Sequence, residues 1–249
     1  MLKRQTGLFG KLPAHGDFVV RDLPQSFIAA WDEWLQYYVS VSKEQLGEDW
    51  LNIYLTSPIW RFVFSPGVID NSAWAGIMLP SVDRVGRYYP LSAISALPGD
   101  TNPLEFISSQ SGWYAAIEEP CLQALNGQMN VDELSSQINE IELSLENSYT
   151  SAEQTTDQST AVQINMEYEE QLPVSVYPFL FNSLLKNTLS SYGVWTTSGS
   201  ERIEPCLFVT QSMPPVSGIP AMMDGEWQQW GWQQPYTLKE FNVLDTIDE

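Results

Sequence analysis

Basic side chains are scarce in this sequence: 11 Lys and Arg stand against 31 Asp and Glu in 249 residues, a formal net charge of -20. The deficit is uneven. Residues 1–100 carry 8 basic and 10 acidic side chains, whereas residues 101–249 carry 3 and 21. A surface of that sign repels phosphate backbones and anionic lipid headgroups, so nucleic acid and membrane surfaces are poor partners. The charge serves solubility in the plainer reading and steering toward a basic protein surface in the sharper one. The plainer is preferred, because net charge carries little specificity. Histidine is scarcer still. His15 stands alone, which excludes any metal site needing two imidazoles. Cys121 and Cys206 form no motif. Free, mostly buried thiols in a reducing compartment are expected, not a zinc site or a disulfide framework. No apolar run approaches the roughly 20 residues of a transmembrane helix, and Met1–Gly10 has no apolar signal-peptide core. A cytoplasmic protein without direct membrane insertion is expected.

Catalytic signatures are missing too. No Gly-x-Ser-x-Gly elbow and no Gly-x-Gly-x-x-Gly fingerprint occurs. Gly10-Lys11 lacks the glycine spacing of a phosphate loop, and Leu12 stands where Ser or Thr would hold magnesium. His15-Gly16-Asp17 could be drawn as an acid–base pair. However, near-adjacent residues rarely converge on one target, and Asp before an aromatic residue is more often a turn former. The chain reads as non-catalytic, with no cofactor.

What is abundant is aromatic: 10 Trp, 11 Tyr and 10 Phe, each a large contribution to a core. Gly7–Pro13 reads as a short strand. Phe27, Trp31, Trp34, Leu35 and Tyr38 recur at helical spacing, which predicts an amphipathic helix over Pro24–Lys43 with Ser26 as N-cap. A short helix follows at Asp49–Thr56. Ile59–Ser65, Ala73–Leu79 and Leu91–Leu97 are apolar runs of strand length bounded by turn residues. Their short connections force antiparallel neighbours. Leu104–Leu125 reads as a helix or helix pair, and Val131–Leu145 as another, with Leu134, Ile138, Ile141 and Leu145 on one stripe. Residues 147–160 form a Ser/Thr/Gln-rich tract read as a flexible loop, and residues 162–168 alternate as a strand would. Tyr177–Ser191 predicts a helix with Phe181, Leu184, Leu185 and Thr188 inward, and Val194–Thr197 and Cys206–Thr210 two closing strands. Trp227, Trp230 and Trp232 would pin an irregular tail onto the body. The fold class is α/β in the α+β sense: a mostly antiparallel sheet of about five or six strands flanked by helices, in one domain over residues 1–249. Within it residues 6–97 form a strand-rich part, residues 102–191 a helical, acidic middle, and residues 192–249 the closing strands and tail.

The segment from Pro80 to Pro90 is conspicuous. Two prolines bracket it, Gly86 permits a turn that a Cβ would resist, and Asp83 has Arg84 and Arg87 for a local ion pair, worth little if exposed. A packed structural loop and a presented surface are both open, Arg and Tyr being common in interface hot spots.

These segments carry a resemblance. Gly7-Leu-Phe-Gly-Lys-Leu-Pro13, running into Gly16-Asp-Phe18 and Arg21, then Ser57-Pro-Ile-Trp-Arg-Phe62, Trp74-Ala-Gly76, and Pro80-Ser-Val-Asp-Arg-Val-Gly-Arg87 with Tyr89-Pro-Leu91, occur in this order. Together they resemble the N-terminal signature of the TagF family, also called ImpM, of type VI secretion-associated proteins. The resemblance spans roughly Thr6–Leu97. Later, Val194-Trp195-Thr196 with Gly199-Ser200 resembles a family element that often has paired tryptophans, of which one is present here. The resemblance implies a regulator that acts after translation to hold secretion in check, by binding a cytoplasmic scaffold with a forkhead-associated domain. The family offers no catalytic residues to carry over. Lys11, His15, Asp17, Arg84 and Arg87 are nominated, from motif position, as a polar protein-interaction surface. A baseplate-associated component of the apparatus is the alternative, and a small hydrolase-like enzyme using His15, Asp17 and the arginines comes after it.

Overall fold

A computed structural model describes residues 6–143 and 173–234 of the chain. The expected loop at 147–160 and strand at 162–168 lie outside the described residues.

Among the described residues, seven strands form one sheet: β1 (Thr6–Gly10), β2 (Val19–Arg21), β3 (Trp60–Phe64), β4 (Ala73–Leu79), β5 (Leu91–Leu97), β6 (Gly193–Thr197) and β7 (Cys206–Thr210). Their order is β2-β1-β5-β4-β3-β6-β7, and every neighbouring pair is antiparallel. The antiparallel α+β expectation is borne out, with one strand more. That strand is β2, whose three residues are too few for alternation to be read. The late strands β6 and β7 extend the early sheet through the β3–β6 pairing.

Helices cover both faces of the sheet, which is why β4 is buried along its whole length and reads as a continuous apolar run. One face is aromatic. Helix α1 (Gln25–Leu46) lays Phe27, Trp31, Trp34, Leu35 and Tyr38 on it, and α2 (Trp50–Leu55) adds Trp50, Ile53 and Tyr54. Phe62, Phe64, Trp74 and Trp195 meet them from the strands. Two of the indoles are tied down by hydrogen bonds: Trp31 Nε1 donates to Ser92 Oγ at 3.1 Å, and Trp60 Nε1 to the Met222 carbonyl at 3.0 Å. Ser26 is not the N-cap. Pro24 holds that position as extended backbone, and having a fixed φ and no N–H to satisfy, it lets the helix begin directly after it.

The other face is richer in aliphatic side chains, with Phe106, Trp113, Tyr114 and Tyr192 among them, and carries α3 (Pro103–Ser109), α4 (Ser111–Leu125), α5 (Val131–Glu140) and α6 (Tyr177–Leu189). The helix pair expected over 104–125 divides at Gln110. A capping box between Asn130 and Glu133 starts α5. It ends five residues before the expected Leu145, because Ile141 is extended and, with Leu143, still packs on the core. The apolar spacing is thus satisfied without helix. In α6 the expected inner side is rotated. Leu185 and Leu189 pack on the core, while Phe181 and Leu184 are 57% and 62% exposed and Thr188 faces out. Two bonds fix this rotation: Asn102 Nδ2 donates to the Pro178 carbonyl at 3.2 Å, and Tyr192 OH donates to Asn182 Oδ1 at 2.6 Å.

The tail crosses back over the aromatic face. Trp227 and Trp232 pack on Phe208 with ring centroids 5.7 and 4.7 Å apart. Trp230 instead donates to Asp224 Oδ2 at 2.7 Å, at the end of the single turn Ala221–Asp224.

Both cysteines are free thiols. Burial, with Glu118 nearby, pushes Cys121 up to about 12, and burial pushes Cys206 up to about 11. Since the thiolate is the reactive form, native protein at pH 8 is expected to leave Cys121 unlabelled by a thiol-reactive dye and Cys206 slow. Both should react within seconds in denaturant. Fast labelling of two thiols in the native state would contradict this packing.

Candidate functional site

The two conspicuous sequence segments meet in space. Gly7–Phe18 leaves β1 and Pro80–Pro90 joins β4 to β5, and since β1 pairs with β5, both segments emerge at one end of the sheet. The loop between the prolines is a small hairpin. Val82 and Tyr88 form a bridge, Tyr89 N donates to Ser81 O at 3.0 Å, and Asp83 N to Arg87 O at 3.0 Å. Its base is anchored. Tyr54 OH donates to Ser81 O and accepts from Ser81 N, both at 2.9 Å, and Ser81 Oγ donates to Lys11 O at 2.7 Å.

Asp83 is the hub. Its carboxylate accepts from Lys11 Nζ at 2.7 Å, Arg87 Nε at 2.6 Å, Arg87 N at 2.9 Å and Val85 N at 3.0 Å. Lys11 and Asp83 are only 4% and 3% exposed. Burial is the strongest single influence on this carboxyl and works against its charge. The bonds from Lys11, Arg87 and Val85 together outweigh it and hold the group well below the usual carboxylate range. Arg87 then reaches across with Nη2 donating to Gly16 O at 2.7 Å, and Arg84 N donates to His15 O at 3.0 Å. Lys11 also sits 5.0 Å over the Phe18 ring, which packs edge-on against Tyr89 at 4.9 Å.

The nominated residues therefore separate. Lys11 is interior and serves as Asp83's counter-ion. Arg87 is half-exposed, with Nε bound to Asp83 and Nη2 to the Gly16 carbonyl. His15 is partly buried and joined to the hairpin through its carbonyl. Asp17 is exposed, and its Oδ1 accepts from Phe18 N at 2.8 Å. Arg84 is exposed, and its guanidinium lies over Gly16, where an added Cβ would be 3.2 Å from Nη2. The anticipated ion pair of Asp83 is real but differs in kind: it is buried, and it joins Lys11 and Arg87, not Arg84. Sequence reasoning missed Lys11 as Asp83's partner, 72 positions away, for which a single sequence offers no signal. It also missed Val85 and Phe18, exposed at 66% and 40%. For Val85 a signal existed: an apolar residue at the apex of a turn between two arginines.

The arrangement suits binding. A rigid base presents Arg84, Val85 and Arg87 beside Phe18, with an apolar tip flanked by donors. Among the described residues, no three His, Cys, Asp or Glu side chains gather as metal ligands would. No helix there is long and apolar enough to cross a membrane.

Comparison with known proteins agrees with this picture. Residues 7–141 match a family model described as the TagF N-terminal domain, type VI secretion system-associated. Among solved structures, the crystal structure of PA0076 from Pseudomonas aeruginosa PAO1 is similar, with 30% identity and a TM-score of 0.73 over 94% of this chain and 99% of that one. No curated protein matches the chain.

Proposed function

The chain belongs to the TagF family of type VI secretion-associated proteins, and on that premise we propose that it is a non-catalytic, post-translational negative regulator of secretion. As a single folded unit in the cytoplasm, it binds the forkhead-associated scaffold, or a complex containing it, and withholds that component from assembly. The observation that carries the reading is the hairpin tip: Val85 is 66% exposed on a loop whose base is locked by the buried Lys11–Asp83 pair. A rigid, exposed apolar residue between arginines favours association, because little ordering entropy is lost on binding. Arg84, Val85 and Arg87 make the contact, with His15 and Asp17 at the rim. Lys11 and Asp83 position them.

The test is capture of partners from native lysate, with and without the scaffold gene. The wild-type chain should recover the scaffold, and the bound set should vanish from the deletion strain. Arg84→Ala and Val85→Ser should each weaken capture about tenfold, as loss of one hot-spot contact of about 1–2 kcal/mol would. Baseplate subunits recovered at fixed stoichiometry without the scaffold would make the chain a machine component instead. Undiminished capture by both variants would place the contact elsewhere on the molecule.

A further inference from the structure

Among the described residues, helix α6 packs one apolar stripe on the core and leaves a second exposed. Leu185 and Leu189 face inward. Tyr177, Phe181, Leu184 and Thr188 follow at spacings of four, three and four and are all exposed. That is the spacing of a helix–helix seam, set about a quarter turn around the helix from its inward side, and an apolar stripe of this kind is ordinarily covered. Beside this stripe lies β7, the last strand of the sheet among the described residues. It has no charge, no proline and no bulge, the usual devices that protect an open edge. Its Leu207 is 54% exposed. Between them opens an apolar pocket of about 430 Å³, to which Leu104, Ile107, Tyr177, Phe181 and Leu207 contribute.

The charge distribution selects the occupant. In a chain of net charge -20, residues 173–200 hold no Asp or Glu and a single Lys186, and residues 205–223 hold no charged residue at all. Helical spacing puts Lys186 on the side of α6 away from the stripe. A second acidic copy of this chain would meet little like charge on this face. The stripe is also self-complementary, since an antiparallel mate related by a twofold axis sets Phe181 and Leu184 against Leu184 and Phe181.

We propose that the protein is a twofold homodimer in which the outer stripe of α6 packs on the same stripe of a second copy, with the β7 edges alongside. The interface is isologous, and it lies apart from the hairpin tip, so it neither requires nor excludes the regulatory reading.

Sedimentation of the full chain over a concentration series tests this. A mass of twice 28.2 kDa is expected at micromolar concentration. The dimer should tighten as salt rises from about 0.05 to 0.5 M, because screening reduces repulsion between two anionic bodies. Leu184→Glu should give a monomer whose melting temperature matches that of the wild type diluted until it too is monomeric, and Lys186→Glu should leave the dimer intact. A dimer that survives Leu184→Glu overturns the proposal. So does a wild-type chain that stays monomeric up to its solubility limit. In that case a lowered melting temperature for Leu184→Glu would mean that the chain's own residues cover the stripe, and an unchanged one that another protein does.

Discussion

Asp83→Ala is expected to cost about 3–5 kcal/mol of folding stability, the usual penalty for breaking a buried ion pair from one side. The cost arises at Lys11. Its ammonium is 4% exposed, and its carboxylate partner at 2.7 Å would be gone. The backbone N–H groups of Val85 and Arg87 lose their acceptor too, so the hairpin should loosen and partner capture should fall with it. Arg84→Ala removes an exposed side chain outside this network and should change stability by about 0.5 kcal/mol or less. The double variant Lys11→Met with Asp83→Asn should recover part of the loss, because the buried cation is removed and the amide oxygen still accepts from the backbone. Urea denaturation of the three variants measures this. A single-variant loss below about 1 kcal/mol would show that the pair is not the hub it appears geometrically. The pH dependence follows from the sign of the shift. The folded carboxyl titrates below its unfolded value of about 3.9, so its contribution is present above that pH and is lost as pH falls through the folded value. The gap between wild type and Asp83→Ala should therefore be constant from about pH 5 to 8 and close in acid.

Why some of this was legible in the sequence and some was not has a physical basis. Strands β4 and β5 were read to the residue, because a buried run ends abruptly where turn residues begin. The aromatic stripe of α1 was read because a helix facing a sheet repeats its contacts every turn. Rotation of α6 was not legible. Both sides of that helix are apolar, and the bonds from Asn102 and Tyr192 that choose between them come from outside it. The site was legible as two segments and illegible as one object. Nothing in Gly7–Lys11 announces that its lysine neutralises Asp83, because their proximity is created by the β1–β5 pairing. Pairing of this kind also converted a supposed surface lysine into an interior one. The apolar tip at Val85 is hard to read for a different reason: a lone valine between arginines carries no chemical signature, although interface energy resides largely in desolvated contacts.

Gly10→Ala is expected to be as damaging as removing Asp83, and a second glycine shows why. Gly10 has φ +130°, and a Cβ there would lie 2.0 Å from the Pro90 carbonyl oxygen and 2.9 Å from Leu91 Cα. Backbone strain of about 1–3 kcal/mol adds to overpacking of about 1–3 kcal/mol, and the obstacle is main chain, which cannot swing aside as a side chain would. Relief requires β1 and β5 to part at their Gly10–Leu91 end, which draws Lys11 away from Asp83 and transmits the damage to the hairpin. Gly86 also has positive φ, +88°, but nothing lies within 4 Å of its added Cβ. Gly86→Ala should therefore cost only the conformational part, about 1–2 kcal/mol. Denaturation midpoints of the two variants separate space from conformation. Equal losses would mean that the dihedral angle alone conserves the need for glycine at Gly10. A loss several-fold larger at Gly10 would mean that glycine in the signature's Phe-Gly-Lys stretch is dictated by the close approach of two strands, the same approach that seats Lys11 against Asp83.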